Sequence, residues 1–472
     1  MSNSAEQQLV AAFRAHAQAP DRIGPIVDLC NALIQVRRNE HMLPWADKGL
    51  ALDPRHAGLI YARAHALRLL GRHAEAAATW RAHRSLAWSP FYCEVRLGRD
   101  LYLSGDISEA IACLSDVVRN AGESDTRDIQ KARKWLAEAL LSTGDTAGFT
   151  HWLWRNRGDS GSFRYAEAPM WSGQRDLRGE RVLVTHQMGY GDQLLLYAGV
   201  RQWLDAGAAI MITCDGAIHS LLQASWPECH VVATGRPLAI ATELPPPALE
   251  AARAFAPTLQ ATLLHLPLLA ATAAPRPAPY FPAYLRAPEE ARERAAQWAQ
   301  ALRARHPGKR LVGLFWDCAQ RHDPAQGCKE RCWADLRSVP LAEIERLTTH
   351  AALTRDIEFV SLHHPAAESR HGTPRGALSH YGPGIGSFAD TAACLEQLDA
   401  VLSVDAVAAN LSAMAGKPTV VLSNPTGEWR WGSEAHSGTG SPWMANVTVL
   451  RQAAMGEWHD VISRAMGWLS AR

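Results

Sequence analysis

The chain lacks any apolar run approaching the ~18 residues that would suggest a membrane span, so no transmembrane segment is expected. It also lacks a surplus of either charge. In 472 residues, 48 Lys and Arg stand against 47 Asp and Glu, for a formal charge of +1. No polyanion-binding face is advertised, which disfavours nucleic acid or an anionic membrane as the main partner. Cysteines are few, odd in number and scattered, nine in all, a pattern that suits a reducing compartment better than a disulfide framework. The opening residues MSNSAEQQLV have no basic segment followed by an apolar core, so no signal peptide is expected and the cytoplasm is the expected location. What remains is ordinary globular composition, 47% hydrophobic and 20% charged, in a chain long enough for about three domains.

Residues 1 to about 157 carry helical patterning throughout, punctuated by a recurrence. Gly71, Gly105 and Gly144 each follow a helical pattern and precede a further one, in Leu70-Gly71-Arg72-His73-Ala74-Glu75-Ala76, Ser104-Gly105-Asp106-Ile107-Ser108-Glu109-Ala110 and Thr143-Gly144-Asp145-Thr146-Ala147. The first interval is 34 residues and the second 39, which places an insertion near residues 121–128. Each glycine is expected to end a helix in a left-handed conformation, and the small alanine after it lets the next helix pack closely. Leu52-Asp53-Pro54 and Trp88-Ser89-Pro90 add breaks between units. This period and punctuation resemble the tetratricopeptide repeat, whose stacked hairpins present a concave groove for a peptide or protein.

From about residue 180 the rhythm changes. Strand candidates at Val182–Thr185, Ala209–Thr213 and His230–Ala233 alternate with helical patterns, and the alternation resumes at Leu311–Trp316, Glu358–His363, Ala400–Val404 and Thr419–Ser423. Between the two sets, residues 271–288 hold five prolines and read as a linker that could serve as a closing hinge. The expected organisation is a helical repeat domain over 1–157, one Rossmann-like lobe over 158–288 and a second over 289–472, with a cleft between the lobes.

The ordered motifs of this second part resemble the heptosyltransferase-like group of GT-B glycosyltransferases, in the branch carrying N-terminal tetratricopeptide repeats. The matching residues are Gly189-Tyr190-Gly191-Asp192, Arg337-Ser338-Val339-Pro340-Leu341, Phe388-Ala389-Asp390-Thr391-Ala392, Leu402-Ser403-Val404-Asp405, Gly416-Lys417-Pro418, Glu428-Trp429-Arg430-Trp431, Ser441-Pro442-Trp443 and Arg451-Gln452. The resemblance implies transfer of a sugar from a nucleotide-sugar donor to an acceptor. With the repeats as recruiter, that acceptor is a protein, such as a flagellin or another surface protein. Two other readings stay open: a decayed scaffold that binds a partner without turnover, and a lipopolysaccharide-type heptosyltransferase.

Two elbows carry the expected chemistry. In RVLVTHQMGYGDQLLLY (181–197), Gly189 and Gly191 would permit a tight turn and close backbone approach to a sugar. Asp192 would act as helix cap or, as the resemblance implies, as the base that takes the acceptor hydroxyl's proton. In SVDAVAANLSAMAGKP (403–418), Asp405 is suited to cap a helix starting at Ala406. The N-terminus of that helix, with Ala406, Val407 and Asn410, would receive the donor diphosphate. The family's Asp-Thr-x-x-x-His here reads Asp405-Ala406-Val407-Ala408-Ala409-Asn410, so a hydroxyl and an ionisable ring are missing.

Asp-x-Asp is absent, so no divalent metal or other cofactor is expected, and helix ends and basic side chains would stabilise the leaving group, with inversion at the anomeric carbon. Among Arg321, His322, Lys329, Arg331 and Arg337, the residues singled out for the phosphates are Lys329 and Arg331. Trp429 and Arg430 are expected to stack on a nucleobase or sugar. Cys318, Cys328 and Cys332 match no common zinc spacing and are assigned no metal; His363 and His364 read as exposed loop histidines. Self-association through the repeats is compatible with the sequence.

Overall fold

The computed structural model describes residues 2–85, 91–122, 124, 126–154, 161–173, 175–237, 242–271, 280–318, 328–364, 372–425 and 428–472, with side chains at all of these except 2, 3, 328–331 and 383. Among the described residues nine α-helices open the chain: α1 (Ser2–Gln18), α2 (Ile23–Gln35), α3 (Leu43–Leu52), α4 (Ala57–Leu69), α5 (His73–Ala82), α6 (Tyr92–Ser104), α7 (Ile107–Ala121), α8 (Arg127–Ser142) and α9 (Ala147–Trp152). The three recurring glycines behave as expected. Gly71, Gly105 and Gly144 have φ of 74°, 90° and 84°, each ending a helix in the left-handed region. Close packing within the hairpins also depends on glycine: a Cβ on Gly98 would lie 2.5 Å from Leu114 Cγ, and one on Gly148 2.6 Å from Leu141 Cγ.

Two parallel sheets follow. The first has the order β4-β3-β2-β6 and comprises β2 (Arg181–Thr185), β3 (Ala209–Asp215), β4 (His230–Thr234) and β6 (Leu259–Thr262). Two-residue strands β1 (Phe163–Arg164) and β5 (Thr242–Glu243) pair beside it. The second sheet has the order β12-β11-β10-β7-β8-β9. Its strands are β7 (Arg310–Phe315), β8 (Ile357–Ser361), β9 (Leu378–His380), β10 (Ala400–Val404), β11 (Thr419–Ser423) and β12 (Val447–Arg451). Central strands such as β8, β10 and β11 are buried along their whole length, as strands covered by helices on both faces must be. The architecture is therefore helical hairpins followed by two Rossmann-like lobes.

The linker is less free than its prolines suggest. Residues 272–279 lie outside the described part, but the segment after them is bonded into both lobes. Tyr284 Oη donates to Leu194 O of the first lobe (2.7 Å), while Tyr284 N and Leu285 N donate to Met414 O of the second (2.9 and 3.0 Å). Tyr280 and Phe281 are buried.

The same aromatic layer fuses the last hairpin to the lobes. Phe149 packs against Tyr280, Phe281, Trp429 and Trp443, with ring centroids 5.2–6.1 Å apart, and Trp152 lies 4.8 Å from Trp429. Ser433 N donates to Ser142 O, tying α8 to the second lobe (2.9 Å). No described helix is long and apolar enough to cross a membrane.

Candidate functional site

Strand β2 ends in the first elbow, and the turn is made differently from the sequence expectation. The left-handed residue is Met188 (φ 71°), not a glycine. Gly189 is the N-cap of the following helix, Tyr190–Leu196, with an ordinary φ of −77°. Met188 is held there by Gln193, whose Nε2 donates to Met188 O (3.2 Å) and to Asp215 Oδ2 (2.6 Å). Gly191 lies inside the helix. Its missing side chain makes room for protein, since a Cβ there would meet Asn410 Nδ2 at 2.9 Å. Asn410 sits in the helix Val407–Met414, so Gly191 is where the elbow helices of the two lobes touch.

Asp192 does not cap its helix either. One of its carboxylate oxygens accepts from Arg430 Nη1 across the cleft.

The second elbow differs in the same way. Ala406 is the N-cap, with φ −147° and no side-chain cap, and the helix starts at Val407. Asp405 instead turns its buried carboxylate toward the short turn Trp429–Trp431, where Trp431 Nε1 donates to Asp405 Oδ1 (2.8 Å). Arg337 Nη1 donates to Asp405 O (2.8 Å) and lies 3.6 Å from Asp405 Oδ2. Arg430 Nη2 pairs with Glu428 and approaches Asp405 Oδ1 at 3.9 Å. Two guanidiniums and three carboxylates, drawn from both lobes, thus form one cluster.

Its electrostatics follow from burial. Burial pushes the Glu428 carboxyl up to about 7; Arg430 opposes the rise, while Asp405, Glu138 and Asp192 add to it. For Arg430, burial works against the charge, but Glu428, Asp192 and Asp405 more than compensate and hold the guanidinium above its usual range. Arg337 shows the same balance, with burial opposed by Cys318 and Asp405.

Beside this cluster lies a cavity of about 320 Å³ with walls from all three parts of the molecule. Met188 and Asp192 come from the first lobe, and Leu336, Glu428, Trp429 and Arg430 are among those from the second. The ends of α4, α5 and α6 and the face of α8 complete it. Several buried polar atoms at the carboxyl ends of the strands have no protein partner: Asn410 Oδ1, Arg430 Nε, Gln452 Nε2, and both amide atoms of Gln187 at the end of β2. Buried polar groups are ordinarily paired, by protein, water or ligand.

The expected site residues fall into three groups. Asp192, Gly189, Gly191, Asp405, Ala406, Val407, Asn410 and Arg430 converge on the inter-lobe cleft. Trp429 borders the cavity, yet it is buried among Phe149, Trp152 and Trp443 and spends its faces on the junction with the repeats. The side chains of Lys329 and Arg331, with residues 321 and 322, lie outside the described part, as does the side chain of Cys328. Among the described residues no three His, Cys, Asp or Glu are placed to hold a metal ion. His363 corrects its expectation. It is buried and stacked 4.3 Å from Phe315, with Nε2 accepting from Trp316 N (3.2 Å).

Sequence reasoning gave no role to the repeat residues on the cavity wall. A signal was present: Arg68 and Tyr102, like Leu69 and Leu103, are one repeat period apart and so occupy equivalent positions on one face.

No family model matches the chain, and no curated protein matches it. Among solved structures, similarity is found to a glycosyl transferase family 9 protein from Veillonella parvula DSM 2008. The identity is 12% and the TM-score 0.44, over 64% of this chain and 99% of that one. E. coli ADP-heptose lps heptosyltransferase II matches at 10% identity and TM-score 0.39, over 62% and 100% of the two chains. An O-GlcNAc transferase mutant from Thermobaculum terrenum matches at 15% and 0.28, over 100% and 93%. With all three TM-scores below 0.5, the architecture stands on the hairpins and strand orders described above.

Proposed function

We propose that the protein is a glycosyltransferase that moves a sugar from a nucleotide-sugar donor to a polypeptide hydroxyl. The observation that carries this reading is the convergence of Asp192, Arg430 and the repeat helices on one cavity between two Rossmann-like lobes. Ligands of such folds bind at the carboxyl ends of the strands, where the unpaired polar atoms lie.

In the reaction, Asp192 takes the acceptor hydroxyl's proton as its oxygen bonds to the anomeric carbon. The bond from that carbon to the diphosphate oxygen breaks, and the electron pair leaves with the nucleoside diphosphate. Arg430 and Arg337 offset the charge that builds on the leaving group. Asp192 is paired with Arg430 in the free protein, so the donor diphosphate would draw the guanidinium away and release the base. No divalent cation is invoked.

The test is thermal stability with UDP, ADP, GDP, CMP, TDP and their sugar conjugates, in EDTA. One nucleotide class should raise the melting temperature, and Asp192→Asn should keep that shift but release no nucleotide from the conjugate with acceptor present. A flat panel across all nucleotides would refute the reading and favour a non-catalytic scaffold.

A further inference from the structure

The repeat wall of the cavity carries an orphan. His73, the first residue of α5, is buried and lines the cavity, yet neither ring nitrogen has a hydrogen-bond partner. Burial lowers its imidazole to about 4 against a raising influence from Asp100, so at neutral pH the ring is uncharged and offers one donor and one acceptor. Its neighbours on the wall are Leu69 and Leu103, Tyr102 and Trp135, presented by the ends of α4 and α6 and by α8. The stack therefore turns one continuous face toward Asp192. At about 320 Å³ the cavity is at the small end for ligand sites and has room for an amino-acid side chain.

We propose that this wall is a subsite for the acceptor polypeptide, in which His73 positions the Ser- or Thr-bearing segment by exchanging hydrogen bonds with a hydroxyl. This rests on the glycosyltransferase reading. A hydroxyl both gives and accepts a hydrogen bond, matching what the neutral ring lacks, and a chain lying along the stacked repeats is delivered to this wall by the repeat geometry. His73 is thus a positioning residue, while the proton goes to Asp192.

The test compares the full-length wild type with His73→Leu and His73→Gln on an array of peptides containing Ser or Thr. The same peptides carrying Ala, and a panel of oligosaccharides, are spotted alongside, and nucleotide binding is followed separately by thermal shift. The wild type should favour Ser or Thr over Ala. His73→Leu should weaken that binding about 10-fold or more, the loss of one or two buried hydrogen bonds, and His73→Gln should recover part of it.

Nucleotide shifts should be the same in all three proteins. His73→Leu should also melt no lower than the wild type, because an apolar side chain replaces an unsatisfied one. Equal peptide binding by His73→Leu, a preference for oligosaccharides over peptides, or no discrimination between Ser or Thr and Ala would overturn the subsite. Peptide binding that depends on His73 with no nucleotide shift would uphold the subsite and refute the transferase reading.

Discussion

Glu428→Gln gives the sharpest test of the cluster that joins the lobes. In the folded protein the Glu428 carboxyl is raised from 4.5 to about 7, through burial beside Asp405, Glu138 and Asp192 and despite Arg430. A carboxyl raised on folding binds more protons in the native state than in the unfolded one over that interval. The contribution of Glu428 to native stability is therefore full below pH ~4.5 and is lost as pH rises through about 7. The ionised form costs at most about 3 kcal/mol above that window, less whatever water supplies to a side chain still 27% exposed.

Glutamine copies the protonated acid and does not titrate, so the variant should melt like the wild type near pH 5 and above it at pH 8. At roughly 2 °C per kcal/mol for a unit of this size, the gain at pH 8 is about 2–6 °C. Differential scanning fluorimetry from pH 5 to 8.5 measures it directly. A variant that melts lower than the wild type at pH 8 would mean that the ionised Glu428–Arg430 pair is a net support of the fold, and the electrostatic reading of the cluster would be wrong.

Asp192→Asn should lower transfer about 10²–10⁴-fold, the range expected for a general base, with a melting temperature within about 2 °C of the wild type because Arg430 keeps Glu428 and Asp405; measurable turnover near wild type would remove Asp192 from the mechanism. Gly191→Ala should destabilise by about 1–2 kcal/mol by forcing Asn410 aside, whereas Gly189→Ala, with its nearest neighbour 3.6 Å away, should be close to neutral, and adding Asn410→Ala should relieve the first change in a double-mutant cycle. Ala406→Ser places a hydroxyl at an uncapped N-cap and should raise stability by about 1 kcal/mol, read as a melting shift. Phe149→Ala, in the fully buried junction, should cost about 3–5 kcal/mol and expose the repeats to release by limited proteolysis.

What could be read in advance depended on range. Gly71, Gly105 and Gly144 announced helix ends because a left-handed residue is a local property, and the strands β2, β3, β7, β10 and β11 announced themselves by short β-rich runs between turn signals. β6 did not. Its Leu259–Thr262 runs on into the leucine-rich residues 263–269, and an apolar run without periodicity does not separate strand from helix. β12 (Val447–Arg451) contributed to a motif but was not recognised as a strand. The capping expected of Asp405, and the capping alternative for Asp192, fail for a different reason. A carboxylate at the start of a helix is by local logic a cap, but here it is claimed by Trp431, Arg337 and Arg430, residues brought near only by the fold.

That substitution of partners links the departures in the second elbow. Ala406 offers no capping oxygen, and the preceding carboxylate, which could have supplied one, is drawn to the Trp431 indole and the Arg337 guanidinium. The helix therefore leaves its first N–H groups without a side-chain acceptor, while a few residues away Arg430 is held by carboxylates from both lobes. A diphosphate entering between them would satisfy the N–H groups and compete for the guanidinium at once. The lobes are joined in the free protein by the same charges that such an anion would engage, so donor binding and loosening of the Asp192–Arg430 contact are two sides of one exchange.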